Sequence, residues 1–159
     1  MSGHRQPLLG PDATPASALR TAWILWAALL ASVAMYGVVL LVLPGDLLPD
    51  VDVGPLTTPL VVTGFFLAMA GGLVFRRIHR DMPTSSPSGQ PPGGVDPARM
   101  RRALVMMLVA WALFEGAGVV GLVLALLGGK GWPLIALGAG LIAIHPPRRS
   151  FLDADMRSA

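Results

Sequence analysis

At 159 residues the chain could form one ordinary soluble domain, but 53% of it is hydrophobic and only 13% is charged, against about 25% charged residues in a typical soluble domain. The net charge of +3 does not indicate nucleic-acid binding, because the basic residues lie at the ends of apolar runs, where Lys and Arg set membrane orientation. The absence of cysteine excludes a disulfide framework, a thiolate metal site and a cysteine nucleophile.

Four largely apolar runs predict four transmembrane helices. About 20 helical residues cross a hydrocarbon core of roughly 30 Å, and the first run, Thr21 to Leu43, has 23 residues and no charge. It is too long for the apolar region of a signal peptide, so we expect a retained anchor. The last run is short, which leaves a re-entrant segment as the alternative to the full span that we favour. The predicted spans are residues 21–43, 59–75, 99–127 and 132–145.

Prolines that follow a capping residue predict where three of these helices begin. The missing N–H of proline is not needed in the first turn of a helix, and a preceding Thr or Asp can accept a hydrogen bond from that turn. The pairs are Thr14-Pro15, Thr58-Pro59 and Asp96-Pro97.

The Lys and Arg residues alternate along the chain. The N-terminal tail, first loop, middle segment, second loop and C-terminal tail contain 2, 0, 6, 1 and 3 of them. Because basic loops stay in the cytoplasm, we expect a multi-pass protein of the bacterial inner membrane with both termini cytoplasmic. The other segments are then cytoplasmic tails 1–20 and 146–159, external loops 44–58 and 128–131, and a flexible cytoplasmic linker 76–98 rich in Pro, Ser and Gly.

These elements predict an all-α integral membrane bundle of four transmembrane helices. A weak internal likeness between the first and third spans aligns Gly37 with Gly121. It suggests two parallel hairpin repeats related by an axis along the membrane normal. Ala31 then falls opposite Glu115, so only one copy carries a carboxylate.

Glu115 lies near the middle of the third span, 13 residues after Arg102 and 13 before Gly128. Insertion costs about 3 kcal/mol for a charge at this depth, which the apolar residues of the same span outweigh. Hydrocarbon disfavours the ionised form, so we expect a protonated carboxyl. Two interpretations stay open: a site that binds a proton or another ion, and a hydrogen bond that joins two helices. The polar candidates for its partner are Ser32, Thr63 and the indoles of Trp23, Trp26 and Trp111.

Small residues recur every four positions in three spans and predict close helix packing. Packing inside one bundle is the interpretation that we favour, and a homo-oligomer is the alternative. The stripes are Gly64, Ala68 and Gly72, then Ala117, Gly121 and Ala125, then Ala136 and Gly140.

The remaining polar residues predict neither a metal site nor a catalytic site. His4, His79 and His145 lie in tails or at helix ends without metal-ligand spacing, and we expect them to be solvated or interfacial. No phosphate loop, dinucleotide fingerprint or nucleophile elbow is present. We therefore expect no enzymatic activity and no cofactor.

The segment Trp111 to Leu127 resembles the proton-binding helix of the ATP synthase c subunit. In that family a carboxylate is followed six residues on by Gly-Leu-Val, and Glu115 and Gly121 stand at those positions here. The resemblance implies a proton-carrying role for Glu115. It covers 17 of 159 residues, and a c subunit is a two-helix hairpin. The whole chain resembles four-helix bacterial membrane proteins of uncharacterised function.

Two functions follow as expectations. One is a non-catalytic binding or assembly role within a membrane complex, with the lipid bilayer and other membrane subunits or copies of this chain as partners. The alternative is translocation of a proton or sodium ion through Glu115. We expect no nucleic-acid partner.

Overall fold

The computed structural model describes residues 15–43, 54–80, 97–128 and 130–147. These residues form helices and turns without a strand, so the predicted all-helical class is confirmed. Residues 1–14, 44–53, 81–96, 129 and 148–159 lie outside the described ranges. The four helices are α1 Pro15–Val42, α2 Gly54–Arg80, α3 Pro97–Leu126 and α4 Trp132–Ile144.

Three of the helices are long and apolar enough to cross a membrane, namely α1, α2 and α3. Their length and composition support a helical membrane bundle. The fourth helix, α4, has 13 residues and rises about 20 Å, which is less than a hydrocarbon core of roughly 30 Å.

The start of α2 differs from the sequence prediction. The helix begins at Gly54 and contains Pro59, so Pro55 lies in its first turn instead. The missing N–H of Pro59 removes one backbone hydrogen bond, which membrane helices tolerate. The hydroxyl of Thr63 donates to the carbonyl oxygen of Pro59 over 2.8 Å.

Helix α3 lies at the centre of the bundle and packs against each of the other three helices. Its inner residues include Trp111 and Phe114, both fully buried. Helix α4 also contacts α1 and α2, whereas α1 and α2 share almost no contacts. This arrangement differs from two packed hairpin repeats, because α3 and α4 pack as a hairpin whereas α2 packs against α3 and not against α1.

The turn between α3 and α4 depends on glycine. Gly128 has a φ of 87°, a left-handed conformation that side-chain-bearing residues rarely adopt, and its N–H donates to the carbonyl of Ala125 over 3.0 Å. A Cβ on Gly131 would overlap the carbonyl oxygen of Gly121. The chain can therefore turn back directly against α3.

We call the end of the bundle where α1 and α3 begin and α2 ends the basic end, and the opposite end the loop end. Helix α4 stops before it reaches the basic end. The indole of Trp111 donates to the carbonyl oxygen of His145 over 3.0 Å, and Trp111 lies nine residues after Arg102, about 14 Å along α3. The indole of Trp26 donates to the carbonyl oxygen of Ile142 over 2.8 Å. The indole of Trp111 thus provides a donor for the His145 carbonyl, and that of Trp26 provides a second donor for the Ile142 carbonyl, which also accepts the N–H of His145 over 3.2 Å.

Candidate functional site

Glu115 projects from the middle of α3 towards α1, where two hydroxyl groups surround one of its carboxyl oxygens. The hydroxyl of Ser32 donates to Oε1 over 2.6 Å, and that of Tyr36 donates to the same atom over 3.1 Å. The two hydroxyl oxygens lie 2.9 Å apart. The three oxygens therefore form a closed triangle, which we call the oxygen triangle.

Local helix geometry brings the two hydroxyls together. Ser32 and Tyr36 are four residues apart, so they share one face of α1. Val33, fully buried on the same helix, packs at Gly118, where an added Cβ would lie 3.2 Å from Val33 Cγ1 and 3.8 Å from Tyr36 Cδ2. The absence of a side chain at Gly118 lets α1 approach α3 closely enough for the oxygen triangle to form.

The oxygen triangle can satisfy both protonation states of Glu115. When the carboxyl is ionised, Ser32 and Tyr36 both donate to Oε1. When Oε1 carries a proton, it can donate to Ser32, Ser32 to Tyr36, and Tyr36 back to Oε1. Apart from the proton itself, the two arrangements differ only by rotation of O–H bonds. A hydroxyl is both donor and acceptor, and its hydrogen turns freely. Neither the backbone nor a heavy atom has to move.

Among the residues that the structure describes, none supplies a cation beside the oxygen triangle. Glu115 is half-buried and is the only Asp or Glu in the described residues, and no described Lys or Arg lies within the apolar part of a helix. The described residues also contain no group of three His, Asp or Glu side chains that could hold a metal ion. Hydroxyl groups alone therefore stabilise this carboxyl within the bundle.

The other polar residues proposed as partners of Glu115 bond elsewhere. Thr63 bonds within α2, and Trp26 and Trp111 donate to the end of α4. Trp23 packs edge-on against Trp26, with ring centroids 5.2 Å apart. Of the proposed partners only Ser32 contacts Glu115. Sequence reasoning missed Tyr36, although its position one turn after Ser32 was a readable signal.

The predicted small-residue stripes occupy different environments. Five members are buried between helices, whereas Gly72 and Gly140 face open space and Ala136 is exposed. Helix α4 instead approaches α3 closely at Gly138, where an added Cβ would be 2.6 Å from the carbonyl oxygen of Phe114. Helix α2 approaches α3 closely at Gly71, where an added Cβ would be 2.5 Å from the Phe114 ring. The five buried members are Gly64, Ala68, Ala117, Gly121 and Ala125.

His145, which the sequence predicted to be solvated or interfacial, is half-buried at the end of α4 and packs against two aromatic rings. Its ring lies 4.4 Å from that of Phe75 and 5.6 Å from that of Phe114, measured between centroids. Its Nδ1 lies 2.8 Å from the carbonyl oxygen of Leu141, so Nδ1 carries the hydrogen. His145 therefore helps to fix the end of α4. His4 and the side chain of His79 lie outside the described residues.

No protein-family model, no curated protein and no solved structure matches the chain. The local resemblance of α3 to the c subunit therefore rests on the residues around Glu115 alone.

Proposed function

We propose that this protein is a non-catalytic inner-membrane component that binds one exchangeable proton at Glu115. The observation that supports this proposal is the oxygen triangle, in which a mid-span carboxyl has partners suited to both of its protonation states. A group that must gain and lose a proton inside a membrane needs such partners, because an unsatisfied polar group there is costly.

A proton suits the oxygen triangle better than a sodium ion does. The three oxygens lie 2.6 to 3.1 Å from one another, which are ordinary O–H···O distances. A metal ion would have to enter between oxygens that already touch. A hydrogen fits between them without rearrangement.

The competing function is assembly, in which Glu115 only joins α1 to α3 within a larger complex. One interhelical hydrogen bond in a membrane contributes about 0.6 kcal/mol on average, and an amide side chain could provide it. The presence of a carboxyl and two hydroxyls, where one amide would be enough, favours proton binding. Assembly with other membrane subunits remains compatible with it.

The proposed orientation places the basic end in the cytoplasm of a bacterial cell, with both termini on that side. Its support is the alternation of Lys and Arg along the sequence. Glu115 would then lie about midway between the two aqueous phases, 13 residues from Arg102 and 13 from Gly128, or about 20 Å of helix from each.

A hydrophobic carbodiimide tests the proposal, because it reacts with protonated carboxyls inside membranes. Wild-type protein in vesicles should be modified at Glu115 in preference to the aspartates outside the described helices. Modification should fall as the pH rises, since the ionised form does not react. Mass spectrometry of the intact chain and its peptides would measure both effects.

Glu115→Gln is the matched variant, because it keeps the size of the side chain and its hydrogen bonding but cannot titrate. It should fold normally and resist the reagent. If wild-type Glu115 also resists the reagent, or reacts equally at every pH, the exchangeable proton is refuted and assembly through α1 and α3 is the function that remains.

A further inference from the structure

Arginines on three helices converge at the basic end. Arg20 lies on α1, Arg76, Arg77 and Arg80 lie at the end of α2, and Arg101 and Arg102 lie near the start of α3. The helix ends that carry them are neighbours, because their buried residues belong to one apolar cluster. From these helix ends, that cluster includes Ala18, Ala22, Phe75, Ile78, Leu104 and Met107.

This surface is strongly positive. All six arginine side chains are exposed. Among the described residues, the one acidic side chain is Glu115, which lies 13 residues beyond Arg102 on α3. The adjoining linker adds only Asp81 and Asp96 in the sequence, so the arginines remain in excess.

The spacing within α2 favours an anion between two of these side chains. Arg76 and Arg80 are four residues apart and lie on one face, where like charges destabilise a helix slightly. An anion bound between them would remove that repulsion. Arg101 and Arg102 lie at the same end of the bundle, because α3 begins where the neighbouring helix α2 ends.

The choice of arginine is informative. Lys and Arg orient a membrane protein equally well. Every described Lys or Arg position at the basic end is occupied by Arg. The single Lys, Lys130, lies at the loop end. The guanidinium group is planar and binds phosphate through two parallel hydrogen bonds, whereas an ammonium group acts as a point charge.

We propose that the arginines at the ends of α2 and α3 bind the phosphate headgroup of an anionic phospholipid. The flanking apolar helix surfaces would hold its acyl chains, so the bilayer itself supplies the ligand. Basic pockets between transmembrane helices recognise anionic headgroups in this way. The inference does not depend on proton binding at Glu115.

Lipid retention tests the proposal with the full-length protein. Protein reconstituted in nanodiscs of equal phosphatidylglycerol and phosphatidylethanolamine is extracted gently, and the lipids that remain bound are measured by mass spectrometry. Wild type should prefer phosphatidylglycerol by roughly thirtyfold, as expected when two basic side chains act near a membrane surface. Free inorganic phosphate should not displace the lipid if the acyl chains contribute.

Three variants distinguish recognition of the phosphate headgroup by guanidinium groups from attraction by positive charge alone. Replacing Arg76, Arg80, Arg101 and Arg102 together by Gln should abolish the preference, and replacing the same four by Lys should reduce it while the charge stays. Lys130→Gln, at the loop end, should leave it unchanged. Circular dichroism and elution volume would confirm folding, and the Lys variant carries the test if the Gln variant does not fold.

Three results would overturn the inference. Equal retention of both lipids by wild type would show that the basic end has no headgroup site. A Lys variant as selective as wild type would exclude recognition by guanidinium groups and leave only the orienting effect of charge. Displacement by free phosphate alone would exclude the lipid as the source of the bound group.

Discussion

Tyr36 makes the longest contact of the oxygen triangle, 3.1 Å to Glu115 Oε1 against 2.6 Å from Ser32. Even so, the Tyr36 hydroxyl completes the oxygen triangle. Without it, Ser32 has only Glu115 as a hydrogen-bond partner in the triangle. Tyr36 is also the only tyrosine in the chain, so its vibrational bands report on this one position. The residue is therefore both a structural partner of Glu115 and a spectroscopic probe of it.

Replacing Tyr36 by Phe should change both the stability and the reactivity of Glu115. Loss of one interhelical hydrogen bond should lower the free energy of unfolding by about 0.6 kcal/mol, measured by titration with a denaturing detergent. The carboxyl loses one of its two hydroxyl partners in either protonation state, so its rate of carbodiimide modification should also change. Unchanged reactivity would show that the hydroxyl of Tyr36 does not act on Glu115.

A matching spectroscopic result is expected for the wild-type tyrosine. The vibrational bands of Tyr36 should shift in the Glu115→Gln variant, because the hydroxyl then meets an amide in place of a carboxyl. Identical bands in the two proteins would contradict the contact.

At the scale of the helices, glycine determines how closely α4 approaches α3. Gly138 lies so close that an added Cβ would be 2.6 Å from the carbonyl oxygen of Phe114 and 3.1 Å from the backbone nitrogen of Gly118. Backbone atoms cannot move aside as a flexible side chain can. Two residues further along the same helix, Gly140 has no atom within 4 Å of its added Cβ. The two glycines therefore form a matched pair.

Gly138→Ala should destabilise the protein by about 1–3 kcal/mol, the usual cost of forcing an extra carbon into a well-packed contact. Gly140→Ala should be neutral or slightly stabilising, because alanine is the better helix former. Unfolding in detergent, followed by tryptophan fluorescence, would measure both. Equal stability of the two variants would mean that α3 and α4 are not in contact at Gly138.

For the whole molecule, the sequence predicted the elements better than the contacts between them. Apolar length and the prolines at 15 and 97 located the helices, because a span needs a long uncharged run and proline suits a first turn. The inward faces were harder to predict: in glycine-rich α4, both Gly138 and Gly140 could have faced α3. The partner of Glu115 likewise depends on the rotation of α1 against α3, which no single helix encodes.

The orientation of the molecule gives the last prediction, and the absence of cysteine allows a direct measurement. Ser17 lies at the basic end and Thr58 at the loop end, and both are exposed. Each can be replaced by cysteine without changing a charge, so the variants keep the basic residues that set orientation. In intact bacterial cells, a membrane-impermeant maleimide should modify the Thr58→Cys variant, whereas the Ser17→Cys variant should react only after the membrane is opened. The reverse pattern would place the basic end outside, and modification of both variants in intact cells would show that the chain inserts in two orientations.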